Sequence, residues 1–166
     1  MHAQQRPTAD EAVQAFVFCV GKAIQNYGTI KYLVNELLVL LTADALIASH
    51  LIKQGISKRL EILESLVSRR QDDLSKQGII ISDLFTSARA AFQGRNKIAH
   101  NPFVVRAKNV EGKTEVTVGI HVVRYHEAGH KEEWINREKL EGLTTKSSEI
   151  AERFNKLLKF CKPPIS

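Results

Sequence analysis

The residues best suited to chemistry lie in the segment Arg95–His100, which brings an arginine, an amide and a histidine close together. Arginine is a permanent cation that can bind a phosphate through two hydrogen bonds. Histidine has an unperturbed pKa that suits proton transfer near neutral pH. Together these side chains have the chemistry to cleave a phosphodiester without a metal ion.

The spacing of these residues limits what one helix can do with them. Successive helical residues turn by about 100°, so Arg95 and His100 point about 140° apart. Asn96 and His100 are four positions apart and share a face. One helix is therefore a poor catalytic platform. Two crossing helices, or a distorted last turn before Pro102, would bring the arginine and the histidine together.

Small side chains recur at helical spacing beside Arg95. Ala88, Ala91 and Ala99 lie on its side of the predicted helix and leave room for a second helix to approach. That helix could belong to another copy of the chain or to the same chain.

The first half of the chain has the apolar spacing of helices. Thr8–Glu11 is a capping box, which predicts a helix start. The segment Tyr27–Thr29 either interrupts this helix or only marks it. The apolar pattern then continues over residues 30–54, and Gly55 ends it.

Two further helices precede the change to strand-like sequence. One begins at Ser57 and weakens over residues 75–78. Its apolar face carries Leu60, Leu63 and Val67, and we place Arg59 on the opposite face. The next begins at Ser82 and ends at Asn101–Pro102, because the residue before a proline disfavours the helical conformation.

Residues 103–105 and 115–123 have the β-branched composition of strands, and residues 133–135 suit a third strand. A final helix is predicted over residues 137–160, and Pro163–Pro164 closes the chain. We therefore predict a mainly α fold, a bundle of about four to five helices. A small antiparallel β-hairpin or meander at about 103–136 precedes the last helix, within one domain spanning 8–162.

The composition is that of an ordinary globular chain. It has 166 residues, 43% of them hydrophobic, and a net charge of +6, which permits a polyanionic partner without requiring one. The two cysteines, Cys19 and Cys161, are far apart and favour a reduced, cytoplasmic setting. The apolar run over residues 32–52 contains too many polar residues to favour a membrane span.

The motif resembles a known family. Arg95–His100, at the end of a bundle helix and with Asn96 directly after the arginine, resembles the Arg-X(4–6)-His motif of the HEPN superfamily (higher eukaryotes and prokaryotes nucleotide-binding domains). Tyr27–Tyr32 and Arg59–Leu63 resemble segments of bacterial members more loosely. The order of helices agrees, and the resemblance covers residues 10–160.

The resemblance implies an activity. Active HEPN members are metal-independent endoribonucleases, usually homodimers whose two motifs form one composite site. By this resemblance His100 would act as general base or acid, Arg95 would bind the phosphate, and Asn96 would orient the histidine or the phosphate. The implied partners are RNA, a second copy of the chain, and a cognate antitoxin or nucleotidyltransferase-type protein, as for a toxin or defence effector. No cofactor is implied.

Plainer interpretations stay open. A histidine in the last helical turn interacts favourably with the helix dipole, and an exposed arginine is often simply solvated. HEPN-like chains can also be non-catalytic modules that bind a nucleotide, RNA or a protein. Arg124 and His130 fit a similar spacing, but we interpret them as a strand end and a turn.

Two further groups of polar residues are candidates for binding RNA or a metal ion. Four cations flank the motif and could hold an RNA backbone if they surround one cleft; they are Arg89, Lys97, Arg106 and Lys108. His121, His126 and His130, with Glu127, cluster near one predicted hairpin. They lack the ligand pairing of a structural zinc site, so no metal is predicted.

Overall fold

The computed structural model describes residues 8–110, 113–126 and 129–162. Within these residues it contains six helices and one three-stranded sheet. The helices are α1 (Ala9–Thr42), α2 (Ala45–Ile52), α3 (Ile56–Ser68), α4 (Gln71–Lys76), α5 (Ile81–His100) and α6 (Arg137–Cys161). The strands, all preceding α6, are β1 (Phe103–Val110), β2 (Lys113–His126) and β3 (Gly129–Ile135). The predicted helical bundle with a small antiparallel insertion is confirmed.

Helix α1 begins at the predicted capping box and runs unbroken past Gly28. The Thr8 hydroxyl accepts a hydrogen bond from the Glu11 amide, and the Glu11 carboxylate accepts one from the Thr8 amide. The predicted continuation to residue 54 is wrong. Ala43 adopts a left-handed conformation, with φ of 51°, and ends the helix.

A new helix follows this break because Asp44 caps it. The Asp44 carboxylate accepts hydrogen bonds from the amides of Leu46 and Ile47, at 2.8 and 3.0 Å. A short acidic side chain favours this N-cap role over a place inside a helix. Together with the short helix α4, this break brings the number of helices to six, where about four to five were predicted.

Helix α5 ends where the sequence predicts. Asn101 has an extended backbone, with φ of −121° and ψ of 150°, and Pro102 follows it. The Asn101 side-chain amide donates a hydrogen bond to the Lys97 carbonyl at 2.8 Å. This bond satisfies one of the carbonyls left unpaired at a helix end.

The three strands form an antiparallel meander in the order β1-β2-β3. Phe103 and Ile135 both pair with Ile120, so β2 is the central strand. Strand pairing between β1 and β2 continues to Val110 opposite Lys113. Residues 111–112 and 127–128, between the strands, and Pro163–Pro164 lie outside the described residues.

The core joins the helices to one face of the sheet. Phe16, Phe85 and Phe154 are fully buried, and the rings of Phe85 and Phe154 meet edge to face at 5.6 Å. Ile120, Val122, Ile135 and other buried strand residues belong to the same apolar cluster. The sheet is thus packed on the bundle. Among the described residues, the helices lack the combination of length and apolarity that a membrane crossing needs.

Candidate functional site

The motif lies where α5 meets the sheet. Arg95, Asn96 and His100 occupy the last turns of α5, and the backbone just after the helix is bonded to β2. The His121 amide donates to the Pro102 carbonyl at 3.2 Å. This bond and the Asn101 cap fix the position of the helix end, so the His100 backbone is held against the sheet.

His100 opens onto a cleft between α5 and β2, which we name the His100 cleft. Its volume is about 480 Å³. The helical side supplies Gln93, Asn96, Lys97, His100 and Asn101, and the strand side supplies Val122, Val123 and Arg124. The His100 side chain is exposed there. A histidine in this position is accessible to a ligand and to water.

Arg95 opens onto a different cavity, which we name the Arg95 cavity. It has a volume of about 360 Å³ and lies among α1, α3 and α5. The lining residues are Ile24, Tyr27, Gly28 and Lys31 from α1, Ile56 and Arg59 from α3, and Phe92, Arg95 and Asn96 from α5. The Arg95 side chain is half-buried.

The structure therefore separates the arginine from the histidine within one chain, as the helical spacing predicts. Asn96 lines both the His100 cleft and the Arg95 cavity. Its side-chain oxygen accepts a hydrogen bond from Arg95 Nη1 at 3.3 Å. Asn96 thus contacts the arginine, and it is the residue that links the two halves of the motif.

The four flanking cations do not surround one cleft. Only Lys97 lines the His100 cleft, and it forms an ion pair with Glu133 at 2.7 Å. Arg89 pairs with Glu64 on α3. The condition of one shared cleft is therefore not met, and a contact of these cations with RNA stays a prediction.

The other two flanking cations lie on β1. The Arg106 guanidinium lies over the Trp134 ring, 4.5 Å from its centre, and Lys108 is exposed. Neither Arg106 nor Lys108 lines the cleft or the cavity.

Sequence reasoning missed three cations that do line these spaces. Arg124 lines the His100 cleft, although we interpreted it only as a strand end. Lys31 and Arg59 line the Arg95 cavity. Arg59 was placed on the solvent face of its helix, and that placement is wrong, because only 5% of its surface is exposed. The helical repeat offered a signal, since Arg59 lies beside the apolar positions Ile56 and Leu63.

The stripe of small residues on α5 packs mainly inside the chain. Ala88 and Ala91 are buried in the core. A Cβ atom at Gly94 would lie 3.1 Å from Leu143 Cδ2 of α6. Helices of the same chain therefore fill the space beside Ala88 and Ala91, and only Ala99 of the stripe is exposed.

Two sheet histidines share one carboxylate. Glu132 lies 3.1 Å from His121 Nε2 and 3.3 Å from His130 Nε2. The hydrogen bond with His121 is the main reason that the pKa of Glu132 lies below its ordinary range. Within the described residues no three histidine, cysteine or acidic side chains are grouped as metal ligands would be. The His126 side chain and Glu127 lie outside the described residues.

No protein-family model, no curated protein and no solved structure matches this chain. The site's own residues therefore define its possible chemistry. An accessible histidine and a nearby arginine suit proton transfer and phosphate binding, respectively. Neither Arg95 nor His100 forms an ion pair with any described residue, so both are free to bind a ligand.

Proposed function

We propose that this chain is a metal-independent endoribonuclease of the HEPN type, acting in the cytoplasm as a toxin or defence effector. The observation that carries the proposal is the placement of Arg95, Asn96 and His100 on the last turns of α5. Each of the three side chains lines the cleft or the cavity, and neither Arg95 nor His100 is paired with a carboxylate among the described residues.

The proposed reaction uses the RNA as its own nucleophile. His100 takes the proton of a ribose 2′-hydroxyl, and the 2′-oxygen forms a bond to the adjacent phosphorus. The bond between phosphorus and the 5′-oxygen breaks, and that oxygen receives the proton that His100 took from the 2′-hydroxyl. The products are a 2′,3′-cyclic phosphate and a 5′-hydroxyl. Arg95 stabilises the negative charge that accumulates on the phosphate oxygens.

The proposal includes a homodimer, because one chain keeps the two catalytic side chains in separate spaces. An exposed apolar face on α1 supports it. Val17, Ile24, Tyr32 and Val39 are 38–59% exposed and lie within an arc of about 80° on the helix. Ile24 also lines the Arg95 cavity. A second copy packed on this face would border the motif and cover apolar surface that one chain leaves in water.

A non-catalytic binding module is the second candidate. The separation of the Arg95 cavity from the His100 cleft favours it for a chain that stays monomeric, since Arg95 and His100 then cannot act on one phosphate. Such a module would bind a nucleotide, RNA or a protein such as a cognate antitoxin or a nucleotidyltransferase-type partner.

An RNA cleavage assay in EDTA tests the enzyme. We expect the wild-type chain to cleave, and we expect His100→Ala and Arg95→Ala each to lose at least about 100-fold in rate, the usual loss for a general acid–base or charge-stabilising group. Mass spectrometry should find 2′,3′-cyclic phosphate ends.

Two matched control variants test whether removing an exposed histidine or arginine outside the motif also slows cleavage. His50 on α2 and Arg69 after α3 are exposed, so His50→Ala and Arg69→Ala should cleave at the wild-type rate. Cleavage that persists in His100→Ala would show a contaminating nuclease. A wild-type chain inactive on many RNAs would favour the binding module.

A further inference from the structure

The Arg95 cavity contains a buried cation without a counter-charge. Arg59 is only 5% exposed. Its Nη1 donates to the Asn35 side-chain oxygen at 2.6 Å, while its Nε has no hydrogen-bond partner among the described residues. Within the same residues it forms no ion pair. A buried, unpaired charge is costly, so such a group is normally balanced by an anion.

The rest of the cavity lining adds positive charge and no negative charge. Lys31 is exposed, Arg95 is half-buried, and none of the described residues that line the cavity is an aspartate or a glutamate. Asn96 adds a neutral amide. Tyr27 also lines the cavity, and its buried hydroxyl has no hydrogen-bond partner among the described residues. Burial raises the pKa of Tyr27 to about 12, so this residue stays a neutral donor.

Three other arginines of the chain each form an ion pair with a carboxylate. Arg89 pairs with Glu64, Arg137 pairs with Glu141 at 2.7 Å, and Arg153 pairs with Asp83 at 2.8 Å. These three are more exposed than Arg59, and yet each has a carboxylate. Of these four arginines, Arg59 is thus the most deeply buried, and it is the one without a carboxylate partner among the described residues.

We propose that the Arg95 cavity binds a phosphate group of a nucleotide or of an RNA strand, held by Arg59, Lys31 and Arg95. Guanidinium groups match the oxygens of a phosphate through paired hydrogen bonds. The volume of about 360 Å³ falls in the usual range of ligand pockets and accommodates the sugar as well. This site goes beyond the proposed cleavage and does not depend on it, because anion binding requires neither His100 nor a second copy.

Isothermal titration with three probes tests the proposal: inorganic phosphate, 5′-AMP and a five-nucleotide RNA made uncleavable by 2′-O-methyl groups. We expect 5′-AMP or the RNA to bind. We expect Lys31→Glu to weaken this binding at least about tenfold, because it reverses one of three charges at the site. Lys31 is exposed, so this change spares the core.

The matched control is Lys22→Glu, the same charge reversal at another exposed position of α1. It should leave affinity unchanged. The two nucleotide probes separate the sources of the phosphate: RNA at least ten times tighter than 5′-AMP identifies a strand, and similar affinities identify a free nucleotide.

Three outcomes would overturn the site. One is the absence of binding for all three probes. Another is equal affinity in Lys31→Glu and Lys22→Glu, which would indicate a general charge effect. The third is loss of dimerisation without loss of binding in Arg59→Met, which would assign Arg59 to a carboxylate of the second copy. None of the probes can be cleaved, so a wild-type chain that binds 5′-AMP or the RNA probe but cleaves no RNA would contradict the cleavage proposal and support this site.

Discussion

The Arg95 cavity and the His100 cleft lie on either side of the same helix end, and they differ most in their charge balance. In the cleft, Lys97 is held by Glu133, whose pKa lies below its ordinary range mainly because of that hydrogen bond. In the cavity, burial lowers the pKa of Arg59, and no carboxylate among the described residues compensates it. The cavity thus contains a buried cation without a counter-charge from those residues, whereas in the cleft Lys97 is paired and Arg124 is exposed.

The surroundings of the two spaces differ as well. The cavity is lined by α1, α3 and α5, whereas the cleft is lined by α5 on one side and by β2 on the other. A substitution in the sheet should therefore alter the cleft more than the cavity. The fold thus separates Arg95 from His100, and the proposed cleavage needs a second copy to bring the two side chains together.

Subunit mixing gives the largest expected effect. If Arg95 of one copy acts with His100 of the other, Arg95→Ala and His100→Ala chains should restore activity when mixed, although each is inactive alone. Half of the dimers are then mixed and each keeps one intact pair, so recovery should reach about a quarter of the wild-type rate. The measurement is RNA cleavage after co-refolding.

No recovery on mixing would place the arginine and the histidine of each active pair in the same chain. Light scattering on the wild-type chain is the control, and a clean monomer at assay concentration would contradict the composite site altogether. The monomer would turn the separation of the cavity from the cleft into an argument for the binding module.

A change in the sheet should separate the two regions. A Cβ atom at Gly119 would lie 2.5 Å from Trp134 Cε2 and 2.8 Å from the Ile135 carbonyl oxygen. Gly119→Ala should therefore destabilise the fold by about 1–3 kcal/mol in urea unfolding. It should also slow cleavage, which depends on the cleft, and leave phosphate binding in the cavity unchanged.

Gly142→Ala is the matched control, because this exposed helical glycine has no atom within 4 Å of the added Cβ. It should stabilise the chain by about 0.5–1 kcal/mol. Equal losses of cleavage and of phosphate binding in Gly119→Ala would show that the cleft and the cavity respond as one unit.

The smallest expected effect is a change in stability, and it comes from the ion pair between Lys97 and Glu133. The pKa of Glu133 in the folded chain lies below its ordinary value of 4.5, chiefly because Lys97 donates a hydrogen bond to it. A lowered pKa stabilises the fold above pH 4.5, and this contribution is lost as the pH falls through the folded-state pKa. Glu133→Gln should thus cost less than about 1 kcal/mol at neutral pH, since the pair is partly exposed.

Urea unfolding between pH 7 and pH 3 measures this effect. The variant should lose less stability on acidification than the wild type, while Glu149→Gln, at an exposed position without an ion pair among the described residues, should follow the wild-type curve. Coinciding curves for Glu133→Gln and the wild type would show that the pair does not stabilise the cleft.

The elements of the fold were largely predictable because their signals are local. The capping box at Thr8, the stop at Asn101–Pro102 and the β-branched runs each act over a few residues. The break at Ala43 was not predicted, because the apolar pattern continues across it. There Asp44 favours a new helix start over continuation.

The candidate site was predictable only in part. The separation of Arg95 from His100 follows from helical geometry alone. The lining of each space does not, since Lys31, Arg59 and Arg124 come from three other elements that only tertiary packing brings to α5. The pairing of Arg89 with Glu64 is likewise a contact between helices, invisible in the spacing of either one.

The tryptophan packed over Gly119 gives the protein an optical label of its own. Trp134 is the only tryptophan in the sequence. Its ring lies under the Arg106 guanidinium, and its chain neighbour Glu133 binds Lys97 at the cleft. Adjacent residues of a strand point to opposite faces of the sheet, so Trp134 lies on the face of β3 opposite Glu133. Its emission during a titration therefore reports that face of the sheet, without any added dye.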